Sequence, residues 1–179
     1  GAATYEFSTQ SWSALPSGTF DRVTAATVDA AGVLFVAGTL GSGAAIQRRV
    51  ASFDGTSWTV LGGEFDGPIS ILAVFGNEVI AGGGFSQNGS QPLLSIARWN
   101  GTAWAPIAGG VTGGSASVEA LCTMPNGDLA VGGTFTAAGG TPAANIARWN
   151  GTTWQAFGSG LPPEVTSIAT FSTGELFAT

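Results

Sequence analysis

Apolar and polar positions in this chain fall into short runs bounded by Gly, Asn, Asp or Pro. That is the pattern of strands joined by tight turns rather than of helices. It predicts paired strands at 4–7 and 12–15, then at 23–28 and 33–38 around Asp29-Ala30-Ala31-Gly32. The pairs 50–53/58–61 and 69–75/79–83 follow, the second closing on Gly76-Asn77. Next come 96–99/104–107, and 118–124/129–133 around Pro125-Asn126-Gly127. The chain ends with 146–149/154–157 and with 165–171 paired to a strand from Leu176 onward.

These pairs recur. Ile96-Ala-Arg-Trp-Asn-Gly-Thr-Ala-Trp104 returns as Ile146-Ala-Arg-Trp-Asn-Gly-Thr-Thr-Trp154, and weaker copies are Phe53-Asp-Gly-Thr-Ser-Trp58 and Phe7-Ser-Thr-Gln-Ser-Trp12. The second aromatic stands at 12, 58, 104 and 154, in steps of 46, 46 and 50 residues. A fixed period of that size signals a repeat architecture. Asn-Gly or Asp-Gly between an aromatic and Thr reads as a hairpin whose two turn residues take positive φ. With strands A and B before a double Gly, and C and D around the turn, the chain runs CD, ABCD, ABCD, ABCD, AB. The expected fold is an all-β β-propeller of four-stranded antiparallel blades. Its units are 23–61, 69–107 and 118–157, with 1–15 and 165–179 forming a composite closing blade.

The motif Leu129-Ala-Val-Gly-Gly133, followed by Trp149-Asn-Gly-Thr-Thr-Trp154, resembles a kelch repeat; Ile80-Ala-Gly-Gly83 with Trp99 and Trp104 fits as well. Ala37-Gly38 with Phe53 and Trp58 is a weaker copy. The resemblance implies a propeller and no particular chemistry. Kelch rings usually carry six or seven blades, whereas this chain encodes four blade-equivalents. The expectation is therefore a four-bladed monomer, an eight-bladed dimer, or a piece that completes a larger ring. The opening directly on a strand and the end in mid-strand read as a mature, excised or engineered segment.

Composition narrows the function classes. Of 179 residues, 44% are hydrophobic and only 9% charged, and 29 are Gly, which suits tight turns and close packing. Net charge is −6 with five Arg and no Lys, so a nucleic-acid partner is not expected. No apolar run is long enough for a membrane-spanning helix, so no membrane partner is expected either. A lone Cys cannot form an internal disulfide, and the absence of His removes the commonest base and metal ligand. A kelch-type copper-radical oxidase would need His ligands and is excluded. An extracellular or cell-surface location is the expectation.

Candidate residues divide into packing and binding classes. Trp12, Trp58, Trp104 and Trp154 on strand D, with Trp99 and Trp149 on strand C, recur in register and read as packing between blades. Asp21, Asp66 and Glu164 precede strand A, and Glu119 lies at its start, so these four acids would ring one channel mouth. They read as a site for a hydrated Ca²⁺ or an amine, or, in the preferred reading, as solvated loop acids. Arg98 and Arg148 read as solvated or blade-to-blade contacts, and Cys122 as a small buried hydrophobe. Asn88, Asn100 and Asn150 open Asn-Gly-Ser/Thr sequons, which are hairpin turns in the last two cases. The leading function is a non-enzymatic scaffold for interaction or assembly, with self-association to complete a ring and a protein or glycan ligand. The alternative is a carbohydrate-binding propeller, with or without Ca²⁺, using the loops 86–92 and 136–142. A glycosidase using the channel acids is a third class.

Overall fold

The computed structural model of the chain describes residues 3–6, 11–14, 20–41 and 46–179. Among them every regular element is a β-strand. The first pair is β1 (Ala3–Glu6) and β2 (Ser11–Ala14). A four-stranded antiparallel sheet follows: β3 (Arg22–Val28), β4 (Leu34–Leu40), β5 (Gln47–Phe53) and β6 (Trp58–Val60). The second sheet starts with β7 (Ile69–Phe75) and β8 (Glu78–Gly83). The small hairpin β9 (Gln87–Asn88) and β10 (Gln91–Pro92) interrupts it before β11 (Ile96–Trp99) and β12 (Trp104–Pro106) complete it. After β13 (Val111–Thr112), the third sheet opens with β14 (Ser117–Thr123) and β15 (Leu129–Thr134). The hairpin β16 (Ala137–Ala138) and β17 (Thr141–Pro142) precedes its second half, β18 (Ile146–Trp149) and β19 (Trp154–Ala156). A last pair is β20 (Ile168–Thr170) and β21 (Leu176–Ala178).

Each four-stranded sheet is a simple meander: β3-β4-β5-β6, β7-β8-β11-β12 and β14-β15-β18-β19. The second strand of each is its most buried, which is why it reads as a continuous apolar run ending in small residues. Sheets pack face to face in chain order, with β3 against β7, β7 against β14 and β14 against β20. Two cores result. One joins Phe35, Val50 and Leu61 of the first sheet to Leu72, Val79 and Trp104 of the second. The other joins Ile80 and Ile96 of the second to Val118, Leu129 and Trp154 of the third.

The structure departs from the expectations in four places. The 54–57, 100–103 and 150–153 turns are four-residue loops, since Phe53 pairs with Trp58, Trp99 with Trp104 and Trp149 with Trp154. Only Gly55, Gly101 and Gly151 take positive φ there. The Asn or Asp needs no strained backbone, because its side-chain oxygen closes the loop instead. Second, β1 and β2 pair Tyr5 with Trp12, where the repeat calls for Phe7, which lies outside the described residues. Ser8-Thr9-Gln10-Ser11 has neither the Gly nor the Asx acceptor that sets register elsewhere. Third, the final A strand is only Ile168–Thr170; Val165 instead donates its N–H to Gly133 O at 3.1 Å and is buried against the third sheet. Fourth, β1–β2 and β20–β21 are separate two-stranded sheets, with no ladder joining them among the described residues.

Candidate functional site

The recurring residues meet at the seams between sheets. The indole Nε1–H of Trp104 donates to Leu61 O at 2.9 Å, from the second sheet to the end of the first. Trp154 makes the same link to Ile107 O at 3.2 Å, from the third sheet to the second. Each is flanked across the hairpin by its strand-C partner: Trp99–Trp104 at 5.5 Å and Trp149–Trp154 at 5.3 Å between ring centroids. Trp58 packs at 5.0 Å beside Phe53 and edge-on to Phe20 at 6.5 Å. The side chain of Trp12 lies outside the described residues.

The double glycines serve the same seams. A Cβ on Gly82 would stand 2.5 Å from Val118 Cγ1, and one on Gly132 2.5 Å from Val165 Cγ1, so a valine from further along the chain fills that space. A Cβ on Gly83 or Gly133 would collide with the carbonyl oxygen of Pro68 or Ser117, where the first strand bulges. Three polar side chains tie the seams, of which only Asn88 stood out in the sequence, and there as a sequon. Asn88 is buried and grips Gly63 through both amide atoms, accepting from its N–H at 3.0 Å and donating to its C=O at 2.8 Å. That engagement removes it as a surface sequon. Asn145 donates to Leu161 O and Pro163 O, and accepts from Phe135 N–H at 3.1 Å; Ser95 in the second sheet donates to Ala116 O at 2.9 Å. The loops 86–92 and 136–142 are therefore folded hairpins, and Asn88 and Ala138 within them are buried in the seams.

The four acids are separate. Asp21 Oδ2 accepts the N–H of Gly41 at 2.7 Å. Asp66 accepts from the amides of Ser86 at 2.8 Å and Gln87 at 3.0 Å, and from Ser86 Oγ at 2.5 Å. Partial burial works against the Asp66 charge, but these hydrogen bonds outweigh it and hold its pKa below the ordinary aspartate range. Glu119, at the bulge of β14, accepts from Ser117 Oγ at 2.5 Å, and Glu164 from Thr134 Oγ1 at 3.4 Å. No three acidic or Cys side chains among the described residues gather as a metal group. Asp21 and Asp66 meet backbone amides, and Glu119 and Glu164 meet hydroxyls.

Other candidates resolve locally. Arg98 pairs with Glu78 at 3.4 Å, and Arg148 pairs with Asp128 at 3.5 Å and bonds Gln155. Both contacts lie within one sheet rather than between sheets, and each exposed pair contributes about 0.2–1 kcal/mol. Cys122 is half-buried rather than buried, with Sγ 3.6 Å from Thr170 Oγ1 on the next sheet. No helix among the described residues is long and apolar enough to cross a membrane.

Two cavities flank the seam between the first and second sheets. One, of about 730 Å³, lies at the turn end beside Asp29, Phe35, Asn77, Glu78 and Trp99. The other, of about 500 Å³, lies at the opposite end beside Arg22, Thr39, Arg48 and Ser70. No protein-family model matches the chain, and no curated protein matches it.

Proposed function

We propose that this chain is a kelch-like β-propeller repeat scaffold, non-enzymatic, whose task is interaction or assembly. The observation that carries the reading is the repeated seam: the indole-to-carbonyl bond recurs at Trp104 and Trp154, each reaching the sheet before it. Residues that recur in the sequence are thereby spent on holding sheets together. The acids that would serve hydrolysis are engaged separately, Asp21 with Gly41, Asp66 with Ser86 and Glu119 with Ser117.

The C-terminal half-sheet supports a further blade in the series. The β20–β21 turn repeats the hydrogen bonds of the β14–β15 turn, Phe171 N–H to Glu175 O matching Met124 N–H to Asp128 O. β20 lies on β14 as β14 lies on β7. On this reading β1–β2 supplies strands C and D to the blade that β20–β21 begins, within one chain or from a second copy. Small-angle scattering with light scattering tests it: a compact disc of one or two chains is expected, and an elongated particle would contradict the propeller. Turnover of chromogenic glycosides that disappears in Asp66→Asn or Glu164→Gln would contradict the non-enzymatic part.

A further inference from the structure

The first sheet departs from the other two at one row of residues, and that row is basic. Arg22 on β3 pairs with Thr39 on β4, and Thr39 pairs with Arg48 on β5. Residues paired across neighbouring strands share a face, so the two arginines flank one threonine on one side of the sheet. Two ladder steps put their Cα atoms roughly 9–10 Å apart.

The repeat identifies what stands there elsewhere. Phe65 N–H bonds Arg48 O, Val111 N–H bonds Leu94 O and Leu161 N–H bonds Ala144 O, which makes Arg48, Leu94 and Ala144 equivalent. Register places Pro68 and Ser117 where Arg22 stands, each just before the bulge. Packing of this architecture therefore needs no arginine at either position, and in the first sheet both are arginine.

Among the described residues neither guanidinium has a carboxylate partner. The ion pairs among the described residues are Arg98–Glu78 and Arg148–Asp128. Arg48 reaches only the backbone Asp66 O, at 3.5 Å. The nearby carboxylates of Asp21 and Asp66 are occupied by loop amides. Arg22 and Arg48 open into the cavity of about 500 Å³, whose other polar lining is Thr24, Thr39 and Ser70, with no acid in it. Two guanidinium forks without a carboxylate among the described residues and three hydroxyls are the donors that an oxyanion takes. The volume exceeds a bare inorganic ion and lies in the range of small-molecule pockets.

We infer that this cavity binds a small ligand through an oxyanion group, a phosphate, sulfate or carboxylate, held between Arg22 and Arg48. The inference needs only the first sheet and its neighbour, so it stands or falls apart from ring closure. Sodium phosphate, sulfate and acetate are titrated in turn, with chloride keeping ionic strength constant, while melting temperature and amide shifts are followed. Saturable binding of at least one anion is expected, with shifts centred on Arg22, Thr39 and Arg48; the tightest of the three identifies the group. Arg22→Gln should weaken it about tenfold, Arg22→Gln/Arg48→Gln should abolish it, and Arg98→Gln should leave it unchanged. Without anion, Arg22→Gln should not lower the melting temperature, because it removes a repulsion and no partner. Absence of saturable binding by all three anions, or binding undiminished in the double variant, overturns the proposal.

Discussion

Replacing Trp104 separates the two things its indole does. The ring is almost wholly buried, edge-on to Phe65 at 5.3 Å and tilted against Trp99 at 5.5 Å, and its N–H reaches Leu61 O at 2.9 Å. Trp104→Ala deletes both packing and hydrogen bond, and a buried Trp→Ala change costs about 3–5 kcal/mol. Trp104→Phe keeps most of the apolar contact but strands the Leu61 carbonyl in the seam, at about 1–3 kcal/mol. Against a total stability of about 5–15 kcal/mol, the first change is severe and the second moderate. Guanidinium melts with an unchanged m value give both numbers. The reasoning fails if the two variants are equally stable, because the N–H would then account for everything or nothing. It also fails if Trp104→Ala loses less than about 1 kcal/mol.

Three further outcomes follow from the same contacts. Asn100 Oδ1 accepts from the amides of Thr102 and Ala103 and from Thr102 Oγ1; Asn100→Ala should cost about 1 kcal/mol, and Asn100→Asp much less by thermal melt, since Asp54 builds the same loop. Hydrogen bonds from Ser57 and Thr56 hold the Asp54 pKa well below its ordinary 3.8. A depressed carboxylate stabilises the fold above its unfolded pKa and loses that contribution as pH falls through the folded one. The melting-temperature gap between parent and Asp54→Asn should therefore change below about pH 4 and stay flat above it; parallel curves throughout would refute the assignment. Gly133→Ala should destabilise more than Gly132→Ala, because the first meets the Ser117 carbonyl and the second the movable Val165 side chain. The second should cost about 1–3 kcal/mol in denaturant melts.

Much of the fold was legible because its period is written in large residues. Trp99, Trp104, Trp149 and Trp154 mark hairpins in the sequence and stand as cross-strand pairs in the structure. The turn type was misjudged because Asn-Gly serves two geometries, and the side-chain acceptor of Asn100 selects the longer one. Phe85 and Phe135, wholly buried at equivalent seam positions, recur fifty residues apart and were open to the same reading as the tryptophans. The partners of the acids were not legible, because sequence places these residues beside strand A but says nothing of which amide or hydroxyl each will meet. The arginine row was invisible for a related reason. Arg22 and Arg48 come together only through the ladder register of three strands, and no spacing along the chain encodes that.

The central claim is that strand-D tryptophans bind each sheet to the one before it, and hydrogen exchange at their indole N–H groups tests it most directly. With the indole signals assigned by single Trp→Phe variants, Trp104 and Trp154 should exchange only through global unfolding. Their opening free energies should then match the value from denaturant melts. Exchange of either proton at the rate of a solvent-exposed indole, in protein that remains folded, would contradict the account.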